Sequence, residues 1–315
     1  MVFYILHRFQ IDRDDLIKFL LFAGIVWASI TIIQQFTYPH FLFFSRFDPS
    51  RPDPIEYRAG IYRYMIDGFY FGTISAFLAL NRFLDQKKTR YLVLAGFLFT
   101  GIYYYGTRQI LFVSIASASL MVLWYVIKKG SRLEIKFIFF VFTFFVALAA
   151  SYESIFKKLI DVTKEDANDD NIRLLSYRYF LFEFWPHKIN FFLGNGFPKY
   201  NSEAGLALRK LISRGLFQAD VGIVGTLSVY GIFYTIISTT MLIHNTIKRI
   251  DFQSAYIPIT FISIILTLPL SAIFLSGSGA VVLSTLMYLQ DWACQDYKRS
   301  KLSEKLVQSQ IRHRW

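Results

Sequence analysis

A single cysteine, Cys294, rules out an intramolecular disulfide in any compartment. Histidine is almost as sparse. His7, His40, His187, His244 and His313 are too scattered for a metal-ligand spacing. No Gly-x-Ser-x-Gly elbow or other hydrolase triad pattern occurs. The acidic run Asp161, Glu165, Asp166, Asp169 and Asp170 lacks the central glycine of a calcium loop and reads as solvated charge. Asp12-Arg13-Asp14 has the acidic spacing of some metal-dependent sugar-nucleotide transferases, but helix capping accounts for it. Residues 1–10 carry neither a basic n-region nor a small-residue cleavage site, so no cleavable signal peptide is expected. No internal repeat and no soluble-domain composition is found.

What the chain has instead is apolar length. Of 315 residues, 54% are hydrophobic and 19% aromatic. Runs near the 20 residues that cross about 30 Å of hydrocarbon recur throughout. They fall at about 14–34, 65–82, 91–106, 109–127, 137–151, 220–243, 254–275 and 279–296. Abundant Phe and Tyr suit helix ends held at membrane interfaces. The expected fold is all-α: one membrane domain over 1–315 with about eight transmembrane helices. A large extracytoplasmic loop at 152–219 carries surface helices, and 297–315 forms a basic cytoplasmic tail.

The net charge of +12 would suit nucleic acid, yet its distribution argues against that partner. Alternating eight spans gathers Arg8, Arg13, Arg82, Lys87, Lys88, Arg90, Lys128, Lys129, Arg132, Lys136, Lys248, Arg249, Lys298, Arg299, Lys301, Lys305, Arg312 and Arg314 on one face. Only Arg46, Arg51, Arg58, Arg63 and Arg108 lie on the other. The positive-inside rule makes the richer face cytoplasmic, with both termini inside, and exempts the long loop. The basic tail then needs only anionic lipid.

The polar interruption from about Tyr152 to Asp220 organises the rest. Asn171 can cap a helix running to Trp185, which Pro186 ends. Arg173 and Arg178 lie on that helix, which reads as lying along the membrane surface. Gly194-Asn195-Gly196 is too short for a phosphate-binding fingerprint and reads as a plain reversal. Ser202–Leu216 reads as a second surface helix carrying Arg209, Lys210 and Arg214. Asp220 opens the next span, where an acidic group suits a helix N-terminus.

Two other outer segments carry arginine. The first outer loop, broken by Pro39, Pro52 and Pro54, is expected to be irregular and holds Arg58 and Arg63 among aromatics. Interfacial anchoring is the competing reading for that pair. Arg108 follows Tyr103-Tyr104-Tyr105-Gly106-Thr107 in a tight outer turn with few polar neighbours. An arginine there is costly unless it is paired or faces water, which makes it a ligand candidate against simple snorkelling. Every short outer loop with a basic residue uses arginine and never lysine. Arginine's planar fork binds phosphate bidentately, where lysine offers a point charge. A lipid diphosphate bearing a glycan fits: tail in the bilayer, diphosphate on arginines, sugars in the long loop. Aromatics along 177–200 suit sugar stacking, although interfacial anchoring predicts them as well.

The order of these features resembles the bacterial O-antigen polymerase and ligase superfamily of polytopic glycosyltransferases. The matching pieces begin with Glu56-Tyr57-Arg58-Ala59-Gly60-Ile61-Tyr62-Arg63 and Gly106-Thr107-Arg108. Arg178, Trp185-Pro186-His187 and Gly194-Asn195-Gly196-Phe197 follow, then Asp220-Val221-Gly222-Ile223-Val224-Gly225 and Tyr230-Gly231-Ile232. Family members usually have more than eight spans, and the additional ones would precede Met1. The ligase branch carries a histidine near the position of Asp220, so the aspartate favours the polymerase branch. The resemblance implies polymerisation of undecaprenyl-diphosphate-linked oligosaccharide at the outer face of the bacterial cytoplasmic membrane. It also implies membrane lipids, a flippase and a chain-length regulator as partners. In such a scheme Asp220 serves as general base and Arg108 stabilises the leaving diphosphate. Arg58, Arg63, Arg173, Arg178 and Arg214 bind substrate, with no cofactor or metal. Ligase-like transfer is the near alternative, and a transporter or flippase the alternative from another class. A transporter would prefer charges in mid-span and helices broken in paired positions.

Overall fold

Asp12 starts the first long helix: its carboxylate accepts from the amides of Asp14 (2.7 Å) and Asp15 (3.2 Å). That is an N-cap, and it occupies the first carboxylate of the Asp12-Arg13-Asp14 motif. The computed structural model of the chain describes residues 2–38, 40, 56–58, 61–63, 66, 68–129, 172–199, 201–248, 250–271 and 273–312. The apolar run 137–151, the acidic run and Asn171 lie outside them.

In chain order the helices are α1 (Val2–Arg8), α2 (Arg13–Thr37), α3 (Phe69–Gln86), α4 (Thr89–Tyr104) and α5 (Arg108–Lys129). Then come α6 (Ile172–Arg178), α7 (Asn190–Leu193), α8 (Glu203–Ser213), α9 (Gly222–Ile247), α10 (Tyr256–Thr267) and α11 (Gly277–Arg312). The fold is mostly helical, but not purely α. Two three-residue strands, β1 (Glu56–Arg58) and β2 (Ile61–Arg63), pair antiparallel where an irregular loop was expected.

Among the described residues, three segments are long and apolar enough to cross a membrane: Arg13–Thr37, Gln109–Lys128 and Gln218–Ile247. Their length and composition point to a membrane protein. Two expected boundaries move. The run 254–275 holds a helix only to Thr267, because Pro269 cannot continue it; a 3-10 turn follows at Ile273–Leu275. The surface helix stops at Arg178 and passes into one π-type turn, Tyr179–Glu183, short of Trp185.

Helix packing relies on small residues that let side chains and backbones close up. Trp27 lies against Gly72, Ala28 against Gly101, and Gly24 against Ser75. This joins α2, α3 and α4 around Trp27, Ala76, Ala79, Leu98 and Ile102. A larger core of Leu20, Phe77, Tyr125, Phe261, Leu286 and Tyr288 joins α2, α3 and α5 to α10 and α11.

The bundle has two distinct ends. At one, Arg13 bonds Asp296 (2.7 Å) and Ser254 (2.9 Å), and the Tyr288 hydroxyl donates to Ile11 O (2.6 Å). There the start of α2 and the middle of α11 meet the α9–α10 connection. At the other end lie the hairpin, the α4–α5 turn, the described part of the long loop from Ile172 and the α9 N-terminus.

Candidate functional site

The turn after α10 is the hub of that second end. Its three successive carbonyls serve three different elements. Thr267 O accepts from Gln109 Nε2 of α5 (3.0 Å). Leu268 O accepts from the Ile223 amide of α9 (2.8 Å). Pro269 O accepts from the Tyr177 hydroxyl of α6. Leu268 O and Pro269 O lie past the helix end and have no intrahelical partner, so a helix that stops early makes a docking point. Thr267 O also accepts from the Leu270 and Ser271 amides.

Each tie brings a sequence candidate with it. Gln109 is the neighbour of Arg108, so the backbone of Arg108 sits beside the hub. Tyr177 lies between Arg173 and Arg178 on α6. Ile223 follows Asp220 by three residues, with Asp220 in the 3-10 turn Gln218–Val221 that leads into α9. Gly215 packs against the Ile172 side chain, which sets Arg214 next to the start of α6. Phe180, Leu211, Val221 and Val224 bury one another beneath this cap. Arg173, Arg178, Arg214 and Asp220 all lie on its exposed surface. Glu183 stands 3.9 Å from Arg178 in a well-solvated pair, which adds little stability. Among the described residues, no group of three His, Cys, Asp or Glu could hold a metal ion.

Arg58 and Arg63 are placed, by backbone position, on facing strands of the hairpin. Gln35 of α2 holds that hairpin as a peptide unit would. It donates to Tyr62 O, accepts from Tyr62 N (3.0 Å) and reaches Tyr104 O (3.3 Å). Tyr38 stacks on Tyr62 at 4.0 Å. The hairpin is therefore tied to the residue that ends α4, four positions before Arg108.

Sequence reasoning missed the most elaborate feature of this end. Helix α9 is broken at Gly231, whose φ of 80° and ψ of 174° belong to a region open essentially to glycine. A straight helix would pair Ser228 O and Val229 O with amides four residues on. Here the Asn195 amide donates to Ser228 O (3.0 Å) and the Gly196 amide to Val229 O (2.8 Å). Asn195 Nδ2 donates to Phe184 O (3.2 Å) and Ser228 O (3.1 Å), while its Oδ1 accepts from Asn190 Nδ2 (2.7 Å). The Gly194-Asn195-Gly196 reversal is thus the filling of a helix break. Gly231 sits inside an apolar run, where hydropathy gives no sign of the break.

Tyr177 gives a small test of the hub. Burial raises its phenol pKa, and the nearby Arg173 opposes that shift. A raised pKa contributes stability that is present below the unfolded value of about 10 and lost as pH climbs through the folded one. We expect α6 to loosen above about pH 10, as read by proteolysis of detergent-solubilised protein. Tyr177→Phe should abolish that pH dependence and cost about 0.5–1.5 kcal/mol at neutral pH, the worth of one hydrogen bond. A Phe variant with the same alkaline transition would assign it elsewhere.

Comparison of the chain with protein-family models, with curated proteins and with solved structures finds no match.

Proposed function

We propose that this chain is a polytopic membrane glycosyltransferase that polymerises lipid-diphosphate-linked oligosaccharide units at the outer face of a bacterial cytoplasmic membrane. One observation carries the reading: the Thr267–Pro269 turn gathers elements bearing Arg108, the Arg173/Arg178 pair and Asp220. A lipid diphosphate needs cationic forks at the level where an apolar bundle meets water, and in this reading the hub end of the bundle lies at that level. Arg173, Arg178 and Arg214 stand on the same exposed cap as Asp220, the one carboxylate that the scheme needs. Arg108 neutralises the charge developing on the departing diphosphate, and Asp220 takes the proton of the attacking hydroxyl. Arg58 and Arg63 extend the binding surface along the hairpin. Undecaprenyl diphosphate is the carrier this reading implies, with both chain termini in the cytoplasm.

The break in α9 is the observation a transport reading would use, since transporters bind at interrupted helices. Here two carbonyls near the break are taken by backbone amides of the loop, which favours a structural role for it.

The test is Arg108→Lys, assayed by long-chain polysaccharide in cells lacking the native protein, with membrane levels checked. Lysine keeps the charge and loses the fork. Losing one charge-assisted hydrogen bond of about 1.5–3 kcal/mol should cut polymer formation roughly tenfold to a hundredfold. Near-normal polymer from well-inserted Arg108→Lys and Arg108→Ala would remove Arg108 from the mechanism.

A further inference from the structure

We propose that the segment from Lys188 to Lys199 is a re-entrant element, a loop that dips into the bilayer beside α9 and presents its aromatic tip to lipid acyl chains. The inference rests on α9 spanning the membrane and is independent of the glycan chemistry. Three observations carry it.

The first is depth. Asn195 and Gly196 bond to Ser228 and Val229, about 10 Å along a helix that starts at Gly222 and rises 1.5 Å per residue. The Phe192 ring lies 5.8 Å from that of Phe233, which is close to the middle of the 26-residue α9. A loop lying on the membrane surface would contact only the first turn of that helix.

The second is chemistry. Ile189 to Pro198 contains no charged residue, while His187 and Lys188 precede it and Lys199 follows it, all three exposed. An apolar tip between Lys188 and Lys199 is the pattern of a segment whose ends stay at phosphate headgroups. Leu193 is 67% exposed and Phe197 64%, much as are the lipid-facing candidates Phe233 (58%) and Ile237 (68%) on α9, and Phe197 and Phe192 pack on Tyr230 and Phe233. These side chains continue the apolar surface of a spanning helix.

The third is backbone satisfaction. Non-helical backbone survives at membrane depth only where its polar groups are paired within the protein. The tip amides of Asn195 and Gly196 meet that condition through Ser228 O and Val229 O, and the Asn195 side chain is bonded at both ends. A solvated loop would need none of this, because water would serve.

The experiment is site-directed spin labelling of the full chain in vesicles of phosphatidylethanolamine and phosphatidylglycerol. Leu193→Cys, Phe197→Cys, Lys199→Cys and Ile237→Cys are labelled separately in a Cys294→Ser background. Collision with oxygen reports lipid, and collision with a water-soluble nickel chelate reports water. Labels at Leu193 and Phe197 should match Ile237: high oxygen and several-fold less nickel than Lys199. Nickel access at Leu193 and Phe197 equal to that at Lys199 would overturn the proposal. Low access to both reagents at these positions would also overturn it, because protein, such as a second copy, would then cover the tip. Nickel access at Ile237 itself would defeat the membrane reading of α9, and the proposal with it, as a distinguishable result.

Discussion

Gly231→Ala is expected to destabilise the protein by about 4 kcal/mol and to release the re-entrant loop from α9. Two costs combine. Alanine at φ 80°, ψ 174° carries strain on the order of 1–3 kcal/mol. Its Cβ would also fall inside the van der Waals shells of Phe192 O and Gly194 N. Both are backbone atoms, so no side chain can swing aside to relieve the contact. The loop must retreat, and hydrogen bonds from Asn195 and Gly196 are then lost at about 0.5–1.5 kcal/mol each. Gly194→Ala should fail for the mirror reason, because its Cβ would meet Val229 O. The two effects should be strongly non-additive, since either substitution alone opens the same contact. Thermal unfolding in detergent is the measurement, with a midpoint drop of roughly 10 °C expected for each single variant. A Gly231→Ala protein that melts with the parent would show that the break is not maintained by glycine.

Asn195→Asp is the second large effect, and it should exceed Asn195→Ala. The amide Nδ2 donates to two carbonyls, Phe184 O and Ser228 O. A carboxylate there would turn an acceptor toward two acceptors in a poorly solvated place. Loss of both bonds, together with the uncompensated charge, costs about 3–5 kcal/mol. Protonation is the only escape, because the acid form can donate to one carbonyl. The folded-state pKa of the introduced aspartate is then raised, so its stability is fullest below the unfolded value of about 4 and falls as pH rises. Stability should therefore rank parent, then Ala, then Asp at pH 8, with the Asp variant recovering toward pH 4. Equal melting of the Ala and Asp variants across that range would place the Asn195 side chain in water.

Much of the helical frame is legible in the hydropathy pattern, for a plain reason. Apolar length is a local property, and the helices at Arg13–Thr37, Phe69–Gln86, Thr89–Tyr104 and Arg108–Lys129 fall close to their apolar runs. Ser202 was readable as the start of α8, where its hydroxyl accepts from the Gly205 amide at 3.1 Å. The early end of α10 was readable too, from Pro269, but a window average across 254–275 hides a single proline. The break at Gly231 has no hydropathy signature at all. Glycine in an apolar run looks like any small residue, and the amides that satisfy the break come from a loop more than thirty residues away. The hairpin eluded the reading because Gln35, which anchors it, belongs to the end of a helix and pairs across twenty-seven positions. For the site, the arginine-bearing loop segments gave the candidate groups, while the Thr267–Pro269 hub that relates several of them exists only in tertiary contacts.

The order of the chain gives the broken helix a consequence in time. Asn195 and Gly196 are made before Ser228 and Val229, so the plug leaves the ribosome ahead of the socket. When α9 enters the membrane with unpaired carbonyls near its break, the donors that complete it are already waiting on the preceding segment. A circular permutation that placed 184–197 after α9 would send that helix into lipid with its break unfilled. The two segments can keep the same contacts and still differ in whether the protein can be built.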